Sequence, residues 1–261
     1  MKVFLHELRM GRTALAIWSA AISFMLGVCI IIYPEMSSQM GDISEMFSDM
    51  GAFSSAFGMD KLNFGEFMGY FGVECGNVLG LGGALFAAVV GASAIAKEER
   101  EHTAEFLMTH PISRTQIISE KLLAAITQVL ILNATVIGVS SICILALDVE
   151  ADLWTLVLVF AAYLILQLEI MAITFGVSAF VRRGDLAIGL GLVFVMYFLN
   201  ILANLTENLK LLKYITPFGY ADGAYIIPEK ALDLKYVAVG TALGTMGIIV
   251  AYLKYRKKDL H

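Results

Sequence analysis

Two adjacent carboxylates, Glu98 and Glu99, are the first residues in the sequence whose type and spacing could perform chemistry. Such a pair begins the E-E-x-x-x-R motif of intramembrane proteases, in which a carboxylate serves as the general base. The sixth position of the motif is Thr103 here, not arginine. No serine or cysteine shows a convincing base partner, and the four histidines lie outside the long apolar runs. An intramembrane enzyme is therefore disfavoured.

Glu169 is the single charged residue within the apolar run from Leu153 to Val181. A charge at the centre of a membrane span costs about 2.5–3.5 kcal/mol on insertion scales, and such residues usually face the interior of a helix bundle. One interpretation is that Glu169 lines a polar path across the membrane or a seam between two copies of the chain. The other is a structural carboxyl that a neighbouring helix satisfies by hydrogen bonds. For that case the candidate partners are Asn133, Asn200 and Asn204.

The sequence predicts no metal site and no nucleotide site. Cys29, Cys75 and Cys143 lie in or beside apolar runs without C-x-x-C spacing or a nearby histidine pair, so we interpret them as packing residues. The phosphate-binding pattern G-x-x-x-x-G-K-[ST] does not occur, and no polar segment is long enough for a nucleotide-binding domain. We therefore expect neither a metal nor another cofactor in this chain.

Long apolar runs are the elements that must position these residues. The chain is 59% hydrophobic and 16% charged, outside the usual balance of a water-soluble domain. Six runs reach the roughly 20 residues that cross a hydrocarbon core about 30 Å thick. Backbone groups in lipid must be hydrogen-bonded within the segment, and the runs are too long for barrel strands, so we predict helices. The predicted spans are residues 13–33, 75–96, 122–147, 153–181, 186–206 and 236–253.

The predicted fold class is all-α, a polytopic membrane protein that forms one transmembrane domain over residues 1–261. Its two long loops, 34–74 and 207–235, lie on the same side of the membrane because an even number of spans, four, lies between them. The charges between spans identify the sides. The first set of segments holds 13 Lys and Arg against 8 acidic residues and comprises 1–12, 97–121, 182–185 and 254–261. The second set holds 5 basic against 14 acidic residues and comprises 34–74, 148–152 and 207–235.

Basic segments are retained on the cytoplasmic side of a membrane. Both termini are therefore predicted to be cytoplasmic, and the two long loops to lie outside. The overall net charge of −5 also gives no reason to expect a nucleic-acid partner.

Two further segments carry helical patterns. Residues 1–12 place Phe4, Leu5 and Leu8 on one face beside basic residues, which predicts a short helix in the inner membrane interface. The outer loop carries an apolar stripe at helical spacing, formed by Met36, Met40, Ile43, Phe47 and Met50. This stripe is interpreted as a structural cap on the bundle, and the alternative is a Met-rich surface that binds apolar molecules.

The cytoplasmic segment 97–121 has a charged start, an apolar centre at Phe106 and Leu107, and a break at Pro111. Ser113 and Gln116 have the spacing of a capping box ahead of the third span. The segment predicts a short helix across the inner mouth of the bundle. The alternative is a solvated connector.

At this segment the sequence resembles the type-2 ABC permease family, whose loop reads roughly acid-x-Gly-Thr-x-Glu-x-Leu followed by Pro and Arg. The matching residues are Glu101, Thr103, Glu105, Leu107, Pro111 and Arg114, while His102 replaces the glycine. The resemblance is collinear over the whole chain, including a broken segment before the last span. That segment includes Thr216, Pro217, Phe218, Gly219, Gly223 and Pro228.

The resemblance implies that the segment is a coupling helix, which seats in a groove of a separate ATPase subunit and transmits its closure to the spans. Acidic residues would pair with basic groups of that subunit, and two apolar residues would fill a socket. The candidate coupling residues are Glu98, Glu99, Glu101, Thr103, Glu105, Phe106, Leu107, Pro111 and Arg114.

The resemblance further implies an ATP-driven exporter in a bacterial cell membrane, with ATP and Mg bound by the ATPase subunit. Six spans are half of the family's usual pore, so a second permease copy or a sister permease is expected. Glu169 is then the candidate for the substrate path. An ion-coupled secondary transporter is the alternative, but it would show repeats or several buried ionisable groups. The Met- and Phe-rich outer loop favours amphipathic cargo, either peptide or drug.

Overall fold

The structure is a computed structural model that describes residues 2–37, 51–56, 58–100, 113–181 and 186–257. Across these ranges the regular structure is helical, and no strand occurs. Six of the described helices are long and apolar enough to cross a membrane. The predicted all-α polytopic fold is confirmed.

The α-helices, in chain order, are α1 (Lys2–Ser37), α2 (Ala52–Ala56), α3 (Phe67–Cys75), α4 (Gly82–Arg100), α5 (Arg114–Ala146), α6 (Leu153–Ser178), α7 (Leu186–Leu205), α8 (Gly223–Glu229) and α9 (Leu234–Lys257). A π-helix, Gly76–Leu81, joins α3 to α4. Short 3-10 helices cover Met59–Lys61, Glu207–Tyr214 and Pro217–Gly219. The six spans are α1, the continuous α3–π–α4 helix, α5, α6, α7 and α9.

The first span differs from its prediction. Residues 2–37 form one helix of 36 residues without a break, so the segment 1–12 is helical as predicted but is not a separate interfacial helix. Contacts with α5 explain the difference, since the Phe4 backbone N–H donates to Glu120 (3.1 Å) and Val3 is buried. These contacts hold the first three turns on the axis of α1.

The second span starts earlier than predicted, at Phe67 instead of residue 75, and the outer loop is shorter to the same extent. Aromatic packing accounts for the extension. Phe67 and Tyr70 lie 5.2 and 5.5 Å from the ring of Tyr33 on α1, and Phe67 stacks on Phe71 at 5.4 Å. These contacts give α3 a buried face that the run of uncharged residues did not reveal.

The third span also starts early, at Arg114 instead of residue 122. Ser113 caps the helix by accepting from the Gln116 backbone N–H (3.2 Å), which confirms the predicted pair. The Gln116 side chain donates to Glu120 (3.0 Å) instead of returning to the cap, so only half of the capping box forms.

α6 lies at the centre of the bundle and packs against α4 on one side and α9 on the other, while α1 packs against α5. Tyr163, Leu166 and Phe175 of α6 are fully buried. The outward faces of α7 and α9 instead expose large apolar side chains such as Phe198 and Leu253, as expected of surfaces in contact with lipid.

The segment 216–230, which we call the re-entrant segment, packs against α3 and α6. It contains the Pro217–Gly219 3-10 helix and α8, and its Phe218 and Tyr220 side chains are buried. Phe64, before the second span, and Phe71 within it are buried as well. Of the predicted Met-rich stripe only Met36 lies within the described residues.

Candidate functional site

The predicted coupling segment is described only at its two ends. Glu98 and Glu99 lie in the last turn of α4, and Arg114 begins α5. The Arg114 guanidinium donates to the backbone carbonyl of Arg256 on α9 (3.3 Å). Six of the predicted coupling residues lie outside the described residues, namely Glu101, Thr103, Glu105, Phe106, Leu107 and Pro111.

Lys121 braces the ends of this segment. Its side chain is 1% exposed, and its ammonium donates to the Glu7 carboxylate (2.5 Å) and to the Ala94 backbone carbonyl (2.9 Å). The contact therefore joins α1, α4 and α5 at the end of the bundle where α1 begins. A buried ion pair stabilises a protein only if hydrogen bonds compensate for the water that its charges lose. Here the ammonium donates to groups on two other helices.

Sequence reasoning missed this brace, because Lys121 was assigned to the polar connector. A lysine directly beside an apolar run was the available signal, since such side chains often extend along a helix toward a polar partner. Its partner Glu7 lies 114 positions away, and no local pattern connects the two residues.

Glu169 is 5% exposed and accepts two hydrogen bonds. Tyr220 of the re-entrant segment donates to Oε2 at 2.7 Å, and Thr241 of α9 donates to Oε1 at 2.8 Å. The carboxylate therefore ties α6 to the re-entrant segment and to the last span. Gly240 makes this approach possible, because a Cβ at that position would lie 2.1 Å from Oε2.

The predicted asparagine partners of Glu169 are wrong. Asn133 donates to Gln167 (2.6 Å), and Asn204 donates to the Ala56 carbonyl (3.4 Å). Helical phase explains the first miss, since residues 167 and 169 point about 200° apart on a helix with 3.6 residues per turn. The carboxyl is satisfied by neighbours, as the structural interpretation requires, but through Tyr220 and Thr241.

An ion pair holds the other end of the re-entrant segment. Asp152, which caps the start of α6, lies 2.6 Å from the Lys230 ammonium at the end of α8. Hydrogen bonds from Lys230 and Thr155 lower the pKa of Asp152 to about 2. The acid is therefore ionised throughout the neutral range. The re-entrant segment is thus fixed at Tyr220 by a buried carboxylate and at Lys230 by this pair.

The clusters around Glu169 and Lys121 each join a span to other helices. Around Glu169 the polar partners are two hydroxyls, and both donate to the carboxylate. Around Lys121 the partners include a carboxylate and a backbone carbonyl. Both arrangements couple one span to others.

Comparison with known proteins agrees with this architecture. No curated protein matches the chain. A family model described as ABC-2 family transporter protein matches residues 1–260, which include all six spans, both ends of the predicted coupling segment and the re-entrant segment. The chain therefore belongs to the ABC-2 transporter family.

Proposed function

We propose that this chain is the permease subunit of an ATP-driven exporter, powered by a separate ATPase subunit that binds ATP and Mg. Members of this family are membrane components that have no ATPase domain of their own. The observation that carries the proposal is the Lys121 brace, which joins α1, α4 and α5 beside the predicted coupling segment. A force applied between residues 98 and 114 would reach three spans at once through this contact.

The working unit in this proposal contains two permeases, either two copies of this chain or this chain and a sister permease. Both termini face the cytoplasm of a bacterial cell, in line with the excess of basic residues in the segments on that side. The bundle contacts membrane lipid through the exposed apolar faces of α7 and α9.

Co-purification with the ATPase tests the coupling segment. We expect the double variant Glu105→Ala, Phe106→Ala to recover at least about tenfold less ATPase than wild type, because an apolar anchor and a charge are removed from one interface. Pull-down of the tagged permease, co-expressed with the ATPase encoded beside it, measures the recovery.

The matched control is Glu229→Ala, Tyr225→Ala, an exposed acidic and aromatic pair on α8. This variant should retain wild-type recovery. Equal recovery from the two double variants would remove residues 105 and 106 from the interface, and failure of wild type to recover any ATPase would overturn the exporter proposal.

For the exported substrate we propose an amphipathic molecule, either peptide or drug. The phenylalanines at 64, 67 and 71 are buried in the structure, so the support lies in the methionine stripe of the outer loop. An amphipathic cationic peptide should stimulate ATPase activity of the reconstituted complex at least about twofold. A peptide of the same composition with its apolar face scrambled should not, and equal responses across a panel of both kinds would count against amphipathic cargo.

A further inference from the structure

A polar cavity of about 50 Å³ lies within the bundle, between the π-helix, α6, α7 and the re-entrant segment. Its volume is enough for about three to five water-sized groups. The polar side chains that line it are Asn77, Tyr163, Tyr197, Asn200, Asn204 and Asp222. Tyr163 lies ten residues into α6, about 15 Å from the start of that span. The cavity thus reaches well below the end of the bundle.

Two groups on its wall have no partner among the described residues. Tyr163 is 1% exposed, and its hydroxyl makes no hydrogen bond; the buried Oδ1 of Asn200 makes none either. Their neighbours are paired, since Tyr197 donates to Asn77 (3.3 Å) and Asn204 to a backbone carbonyl. Buried polar groups are almost always paired, so two unpaired groups on one cavity wall indicate a bound molecule.

Two glycines allow the Tyr163 ring to lie close to the backbone of the neighbouring helix. A Cβ at Gly80 would lie 2.9 Å from Cε1 of Tyr163, and one at Gly76 would lie 3.0 Å from its hydroxyl oxygen. Both glycines belong to the π-helix. π-helices are rare and occur frequently at functional sites, which is a second, independent indication that the cavity is a binding site.

The chemistry of the wall selects the ligand. Asp222 is the one ionisable acid among the lining residues, and its carboxylate already accepts from the Ala224 N–H (3.0 Å) and faces the Lys213 ammonium at 3.8 Å. The remaining polar groups are amides and phenols, which are neutral and can both donate and accept. A carboxylate would enter this cavity beside the like charge of Asp222, and an ammonium would have to compete with Lys213 and the Ala224 N–H for that carboxylate.

We propose that the cavity binds a small uncharged group that both donates and accepts hydrogen bonds, either a carboxamide or a hydroxyl. The group contacts the Tyr163 hydroxyl and the Asn200 amide, and the rest of the molecule extends toward lipid or water. This site goes beyond the exporter function and does not depend on it, because binding requires neither ATP nor an ATPase.

Four ligands with the same eight-carbon tail test the selection: octanamide, octanol, octylammonium and octanoate. The protein is labelled with 3-fluorotyrosine, held in phosphatidylcholine nanodiscs and followed by fluorine NMR. The Tyr197 signal, assigned by its loss in Tyr197→Phe, reports on the cavity. We expect octanamide and octanol to shift this signal saturably, with midpoints at least tenfold lower than those of the two ionic ligands.

Two cavity variants complete the test. Tyr163→Phe removes only the unpaired hydroxyl and should keep the wild-type unfolding temperature, while Asn200→Leu fills the same space without an amide. Each should raise the octanamide midpoint at least tenfold, and the exposed control Tyr225→Phe should leave it unchanged. Acetamide, which has no tail, separates the sources: saturation by acetamide assigns a water-borne ligand, and saturation by octanamide alone assigns a membrane-borne one.

Equal midpoints for all four head groups would overturn the proposal, because the cavity would then not select an uncharged group. No saturable shift with any of them would also overturn it and leave a cavity that holds water only. Because the readout is binding to the isolated permease, this result would not affect the exporter proposal. Loss of ATPase co-purification, in turn, would not affect the cavity.

Discussion

Replacing Lys121 with methionine is expected to lower the free energy of unfolding by about 3 kcal/mol. Removing one member of a buried ion pair costs about 3–5 kcal/mol, and the lower figure applies because Glu7 is 19% exposed and can regain some hydration. The methionine occupies similar space, so the loss comes from the charge and its hydrogen bonds to Glu7 and Ala94. Reversible unfolding in mixed micelles of dodecyl maltoside and SDS measures the change.

A double-mutant cycle separates the contact from general damage. Lys121→Met combined with Glu7→Leu should be less destabilised than the sum of the single variants by about 1–3 kcal/mol, since no unpaired charge remains. Lys235→Met at an exposed position is the matched control and should stay within about 0.5 kcal/mol of wild type. If Lys121→Met were as stable as this control, the brace would have no structural role.

Glu169→Leu is expected to destabilise the protein by about 1–3 kcal/mol, because it leaves the fully buried Tyr220 hydroxyl without an acceptor. The Thr241 hydroxyl, on a more exposed face of α9, can turn to other acceptors and should add little. Tyr220→Phe in the Glu169→Leu background should restore part of the loss. The same micelle unfolding measurement checks both variants. A Glu169→Leu variant as stable as wild type would show that the hydrogen bond between Glu169 and Tyr220 does not stabilise the fold.

Glu169→Gln removes the charge of the side chain while keeping its ability to hydrogen-bond to Tyr220 and Thr241. The amide still accepts from Tyr220 and can donate to Thr241, so we expect stability within about 1 kcal/mol of wild type. We also expect transport to continue, since both carboxylate oxygens already have partners within the protein. Loss of transport at normal stability and assembly would instead place Glu169 on the substrate path.

The sequence predicted the six spans because a membrane requires long uncharged helices, and this requirement holds whatever the tertiary contacts are. Span ends were less predictable. α3 extends to Phe67 because aromatic rings from α1 cover it, and α5 extends to Arg114 because Ser113 caps it ahead of the apolar run. Charge counting found neither contact, although the Ser113 and Gln116 spacing was visible in the sequence.

For the candidate sites, the sequence predicted which side chain is buried but not which residues form hydrogen bonds with it. An acid in an apolar run must face the bundle interior, and Glu169 does. Its partner Tyr220 lies in a segment that the sequence placed in an outer loop, and only the folded re-entrant segment brings its hydroxyl to the carboxylate. The π-helix forms part of the wall of the cavity beside Tyr163, and no local sequence rule distinguishes that turn from ordinary α-helix.

The contact between Glu7 and Lys121 also sets an order of events during synthesis. Glu7 in α1 leaves the ribosome before its partner, which emerges 114 residues later. At about 5–20 residues per second, this interval is roughly 6–23 s. During that time the nascent α1 carries the Glu7 carboxylate without the lysine that pairs with it in the folded protein. Retention beside the insertion machinery, or a temporary partner there, would shield this acid until the third span arrives.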